Sequence, residues 1–229
     1  MSDGWVGYAL AFVVFVLAHA LPARPAIRGR LTAVVGERLY LWIYSAVSLA
    51  LLYWLILAAA NAPYVSLWSP APWQRWVVNL VMPLVILLVA AGVGRPNPFS
   101  FGGSGAFDPG RPGIIALSRH PLLLAIALWA AAHLAGNGNL AHALLFGLFG
   151  VLAVLGMPML DRRRRRAWGK ARFDGLARNT SLWPAAAWLA GRARPGADIL
   201  PLRRLALGLA GYLTQLTCHA WLLGDSPLP

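Results

Sequence analysis

Cys218 is the sole cysteine and lies inside an apolar run, which excludes both a disulfide framework and a cysteine-based metal cluster. Acidic residues are scarce too. Seven Asp and Glu stand against 20 Lys and Arg, and charged residues make up 12% of the 229, about half the share usual for soluble domains. No carboxylate falls inside a long apolar run, so serine or cysteine hydrolysis would have no acid partner there. Cys218 and His219, adjacent in sequence, point to different faces of a helix. Without a thiolate pair or an intramembrane carboxylate, copper and zinc chemistry is disfavoured, and any metal must be held by histidine. The chain also lacks a GxxxxGK[ST] phosphate loop, an internal repeat and the composition shift that would mark a second domain. No Lys or Arg precedes the first apolar run while Arg24, Arg28, Arg30 and Arg38 follow it, the reverse of the charge order in a signal peptide.

What is present is apolar. Hydrophobic residues make up 59% of the sequence and mean hydropathy is +0.62, the composition of an integral membrane protein. Six runs are candidates to cross a bilayer: 5–21, 39–60, 76–93, 121–135, 140–160 and 205–223. The expectation is a single all-α, polytopic membrane domain over residues 1–229, a bundle of about six transmembrane helices with the N-terminus outside the cytoplasm. Charge supports that orientation. Apart from Arg75, every Lys and Arg lies in or beside the loops after the first, third and fifth runs, which the positive-inside rule assigns to the cytoplasm. The net charge of +13 is therefore read as loop charge rather than as a nucleic-acid surface, because binding aromatics are not interleaved with it. The densest part, Asp161 followed by Arg162 to Arg166, reads as a cytoplasmic anchor, with anionic-lipid binding as the alternative. Trp183 to Ala190 is apolar but too short to span, and is expected to lie at the interface. Residues 94–113, GRPNPFSFGGSGAFDPGRPG, are too rich in Gly and Pro for helix or strand and read as a connecting loop, with a ligand lid as the alternative.

Polar residues in this apolar background carry the functional argument. His19, His120, His133 and His219 fall in or at the ends of apolar runs, and intramembrane ionisable groups are functional candidates by default. SRHPLLLAIALWAAAH, residues 118–133, sets Arg119 and two of these histidines about one helix. On ideal geometry His120 and His133 stand ~20 Å apart along that helix and ~140° apart around it, so one small ligand cannot touch both. The topology makes His19 level with His120, and His133 level with His219, which favours those two pairs. Gln215 and His219 share a face of the last run. Neutral imidazoles from facing helices can hold haem iron between them, whereas the alternative is a set of ordinary interhelical hydrogen bonds.

His19 in an early helix, the GRPNPFSF loop, SRHP, Trp129-Ala-Ala-Ala-His133, the arginine run and the terminal CHAWLLGDSPLP together resemble the NnrU family of bacterial membrane proteins, over nearly the whole chain. The family name comes from a denitrification locus, linked to the expression of nitrite and nitric oxide reductases. The resemblance implies an inner-membrane protein acting in denitrification or nitric oxide physiology, with respiratory reductase components as partners. The family is also similar to the plant zeta-carotene isomerases, membrane enzymes with haem b. That similarity implies haem b ligated by His19 and His133, with His120 as a further matching histidine, and cis-trans isomerisation of a lipophilic polyene. The exchangeable cysteine of the plant enzymes would fall at Ala130, which cannot bind iron. A second resemblance is to the isoprenylcysteine and phospholipid methyltransferases, in which Arg119 and His120 would help hold S-adenosylmethionine. Against that pattern, Leu124-Ala125 stands where a glycine is expected, and Asp161 and Asp174 stand in place of paired glutamates.

Overall fold

A computed structural model describes every residue except Met1, Ala23, Pro70, 101–104, Ala197, Asp225, Pro227 and Pro229. Among the described residues the secondary structure is helical, apart from a short 3-10 turn at Gly113–Ala116 and an isolated antiparallel bridge between Ser66 and Asn139. The helices are α1 (Ser2–Ala20), α2 (Pro25–Val35), α3 (Glu37–Asn61), α4 (Pro72–Gly92), α5 (Pro121–Gly136), α6 (Leu140–Trp168), α7 (Lys170–Ala177), α8 (Ala186–Leu189) and α9 (Leu202–Leu223). Each of the six apolar runs is therefore a helix. Four of them, α1, α3, α4 and α6, are long and apolar enough to cross a membrane. α5 is apolar throughout but has 16 residues, and α9 is diluted by Arg203, Arg204, Gln215 and His219. Large apolar side chains along α1, α3 and α6, such as Leu10, Leu49 and Val151, are more than half exposed, a surface suited to lipid rather than water. The chain is a polytopic helical membrane protein.

Two details differ from the sequence expectation. α6 does not end at residue 160 but continues through the arginine run to Trp168, because arginine is a good helix former and nothing before Gly169 breaks the helix. Residues 25–35, read as a charged loop, form α2, with Pro25 at its first turn and Gly36 at φ +80° closing it.

The chain divides into two compact units, residues 1–69 with 138–145, and residues 70–137 with 146–229. In the first, α1 and α2 pack against α3. The buried Tyr8 hydroxyl donates to the Ala141 carbonyl at 2.9 Å, and Tyr40 donates to Pro22 at the same distance. The 65–68 segment pairs with 138–140 through the Leu67 amide to the Gly138 carbonyl and the Leu140 amide to the Val65 carbonyl. Only glycine fits at 138, since a Cβ there would run into the Trp68 carbonyl oxygen.

In the second unit α4 packs against α5 and α9. Small residues bring these helices close: a Cβ on Gly136 would meet Val78 at 2.9 Å, and one on the buried Gly208 would meet Leu87 at 2.8 Å. Arg204 stitches the pair from the other end. Its guanidinium donates to the Ala90 and Val93 carbonyls at 2.6 and 2.7 Å, placing a cation on the C-terminal carbonyls of α4. The core gathers Met82, Val85 and Leu88 of α4, Leu124 of α5, Phe173 of α7, and Phe99 and Ile115 from the connection between α4 and α5.

Candidate functional site

The SRHP corner is built by its backbone. Pro121 opens α5 at the position where a missing amide costs nothing, and His120 is the residue before the helix, its carbonyl accepting from Leu124 at 2.9 Å. Asn97 holds the corner from one side, its side-chain amide donating to the Arg119 carbonyl at 2.9 Å and its oxygen accepting from the Phe99 and Ser100 amides. Residues 180–185 hold it from the other. The Arg119 amide donates to Ser181 at 2.8 Å and the Ala185 amide to Leu117 at 2.9 Å, so the stretch expected to lie at the interface is stitched to this corner at its start.

Into this corner Asp161 of α6 delivers a carboxylate. One oxygen pairs with the Arg119 guanidinium, and the other lies 3.1 Å from Nε2 of His120. His120 is fully buried, while Arg119 and Asp161 keep 14% and 12% of their side chains exposed, so this is an ion pair at the edge of the interior. Phe99 and Phe173 flank the guanidinium, their rings 5.9 and 5.6 Å from it. Burial pushes the Arg119 guanidinium below its usual pKa, and Asp161 pulls it back up. Nδ1 of His120 and Nε of Arg119 are buried without a partner among the described residues. Asp161 was not among the site residues expected from the sequence. The available signal was a lone acid at the head of five arginines, closing an apolar run, at a position where the methyltransferase pattern expects a carboxylate.

His133 lies in the last turn of α5, at the other end of the helix from His120. Its Nδ1 is 2.9 Å from the Trp129 carbonyl one turn earlier, and its ring lies 5.4 Å from that of Trp129 and 5.1 Å from that of Phe146. A carbonyl at Nδ1 fixes the proton there and leaves the lone pair on Nε2. His19, in the first unit, repeats the arrangement: Nδ1 is 2.9 Å from the Phe15 carbonyl, and the ring lies against Phe15 at 4.0 Å and Tyr44 at 5.8 Å. His219 is half-buried on α9. Ala130 is buried on α5, its Cβ 3.6 Å from where a Cβ on Gly150 would stand. Among the described residues no three His, Cys, Asp or Glu side chains gather as ligands for one metal ion, whereas a haem iron asks the protein for only one or two imidazoles.

A helical membrane protein with imidazoles set in apolar helices and a partly buried Arg-His-Asp cluster is the class these observations define. The chain belongs to the NnrU family, whose protein description matches residues 8–227. It is similar to the chloroplastic 15-cis-zeta-carotene isomerase of Zea mays, at 28% identity over 196 residues. The match covers 81% of this chain and 51% of the maize protein, so the chain spans about half the length of that relative. No solved structure matches.

Proposed function

We propose that this NnrU-family chain binds haem b through intramembrane histidines in the cytoplasmic membrane of a bacterium, with the arginine-rich loops inside. The observation that carries the reading is the state of the His133 imidazole, with Nδ1 directed to the Trp129 carbonyl so that Nε2 is the nitrogen suited to iron. His19 has the same arrangement in its own unit. His120 could ligate iron through Nε2 only by giving up its contact with Asp161. The aromatic rings beside His133 hold the ring's orientation. When bound, haem supplies an iron centre able to act as a Lewis acid or to exchange one electron. The physiological setting is nitric oxide or nitrite respiration, alongside respiratory reductase components.

A second reading, cis-trans isomerisation of a polyene entering from the lipid, has the printed activity of the maize relative in its favour. Methyl transfer from S-adenosylmethionine at Arg119 and His120 has no comparable support, because both side chains direct polar atoms to Asp161.

Absorption spectra of the detergent-purified protein, oxidised and then dithionite-reduced, together with a pyridine haemochrome assay, test the first reading. The expected result is sharp reduced bands and about one haem b per chain. A colourless protein from haem-replete cells overturns it. If haem is bound but no geometric isomer forms from a carotenoid-like polyene in a heterologous assay, the isomerase reading falls and haem binding stands.

A further inference from the structure

Arginines at the end of a membrane helix ordinarily form a diffuse collar among water and headgroups. Here four of them converge. Arg119, Arg162, Arg165 and Arg178 line a cavity of about 360 Å³ beside the SRHP corner. Its apolar walls are Phe173 and Ala177, only 6% and 8% exposed. Phe173 also holds two of the cations in place, with the Arg119 and Arg165 guanidinium carbons 5.6 and 5.7 Å from its ring.

Two carboxylates share the lining, and both are already engaged. Asp161 is held by Arg119 and His120, and Asp174 by Arg165 at 2.9 Å and Lys170 at 2.7 Å. Arg162 and Arg178 are left with no carboxylate partner among the described residues. The cavity thus combines surplus guanidinium donors, whose planar geometry matches phosphate oxygens, with a floor that accepts an apolar attachment.

We propose that this cavity is a binding site for a phosphate ester, with Arg162 and Arg178 as its principal donors and Phe173 beneath the attached group. The chemistry is common to the phosphodiester of an anionic lipid headgroup and to a soluble phosphate ester. The site is independent of haem.

The test titrates the detergent-purified full chain with dioctanoyl phosphatidylglycerol and dioctanoyl phosphatidylcholine, reading bound mass by native mass spectrometry, and then adds inorganic phosphate as competitor. Phosphatidylglycerol should saturate one site per chain at concentrations where phosphatidylcholine does not bind. Displacement by inorganic phosphate assigns the site to soluble phosphate esters, and resistance assigns it to the lipid headgroup. Arg162→Gln with Arg178→Gln should weaken binding roughly thirtyfold, as expected for losing two arginines that face an anionic group. Arg163→Gln with Arg166→Gln removes the same amount of charge from arginines of α6 that do not line the cavity, and should change binding less than about twofold. Equal weakening by both pairs, or no saturable phosphatidylglycerol binding, overturns the proposal.

Discussion

Nε2 of His120 lies 3.1 Å from Oδ1 of Asp161, a residue 41 positions later in the chain, and the other oxygen of that carboxylate pairs with Arg119. The carboxylate is the shared partner of a fully buried imidazole and a nearly buried guanidinium, so its removal strands both. Asp161→Ala should cost about 3 kcal/mol, seen as a lowered thermal midpoint in detergent. His120→Ala added to Asp161→Ala should cost less than the sum of the single changes, because both act on one cluster. Strict additivity would show that the two residues act independently, and an unchanged midpoint for Asp161→Ala would show that the carboxylate contributes nothing.

The two histidines at the ends of α5 should behave differently toward haem. His133→Ala is expected to abolish haem retention, whereas His120→Gln, which keeps a hydrogen-bonding group opposite Asp161, should keep it. The reduced-minus-oxidised spectrum of each variant decides. Full haem occupancy in His133→Ala rejects His133 as a ligand, and loss confined to His120→Gln reverses the assignment.

Asp174 on α7 gives a pH dependence. A hydrogen bond from Lys170 and the nearby Arg165 hold its pKa below the ordinary carboxylate value. A depressed pKa in the folded protein means that the stabilisation is present above the unfolded value of about 3.9 and is lost as pH falls through the folded value. The thermal midpoint of the native chain should exceed that of Asp174→Asn at neutral pH, and the gap should close on acidification and shrink in high salt. A gap that persists well below pH 3.9, or that ignores salt, assigns the effect to packing instead.

Gly208→Val should separate α9 from α4. The added Cβ would stand 2.8 Å from Leu87, and the Arg204 bonds to the end of α4 leave little freedom for the pair to slide apart. Overpacking of this kind costs about 1–3 kcal/mol, again read as a thermal midpoint in detergent. Gly7→Val, where nothing lies within 4 Å, is the matched control and should leave the midpoint unchanged.

The six apolar helices were legible because each is a run of apolar residues long enough to stand out against Gly, Pro and Arg, and hydropathy needs no knowledge of partners, whereas α2 and α7 carry too much charge to show in this way. The histidines stood out for the same reason, as polar residues in apolar runs. What joins Asp161 to Arg119 and His120 is contact across 41 residues of chain, and no periodicity encodes it. The carboxylate was masked further by the five arginines after it, which read as one solvated run although helix α6 continues through them. Arg204 was hidden likewise, being counted as topological charge although it closes the end of α4. The link between Asn97 and the Arg119 carbonyl was invisible because Gly-Pro composition says only that a segment is neither helix nor strand.

That same link decides where the connection between α4 and α5 tolerates alteration. Asn97 binds three backbone groups and Phe99 is completely buried, so residues 97–99 belong to the folded core although they lie in a loop. A peptide tag inserted there should prevent accumulation of the protein, whereas one placed beside the exposed Gly110 should be carried without loss. Gene-fusion junctions and epitope labels for this chain therefore belong beside Gly110, ahead of the 113–116 turn, which is buried again.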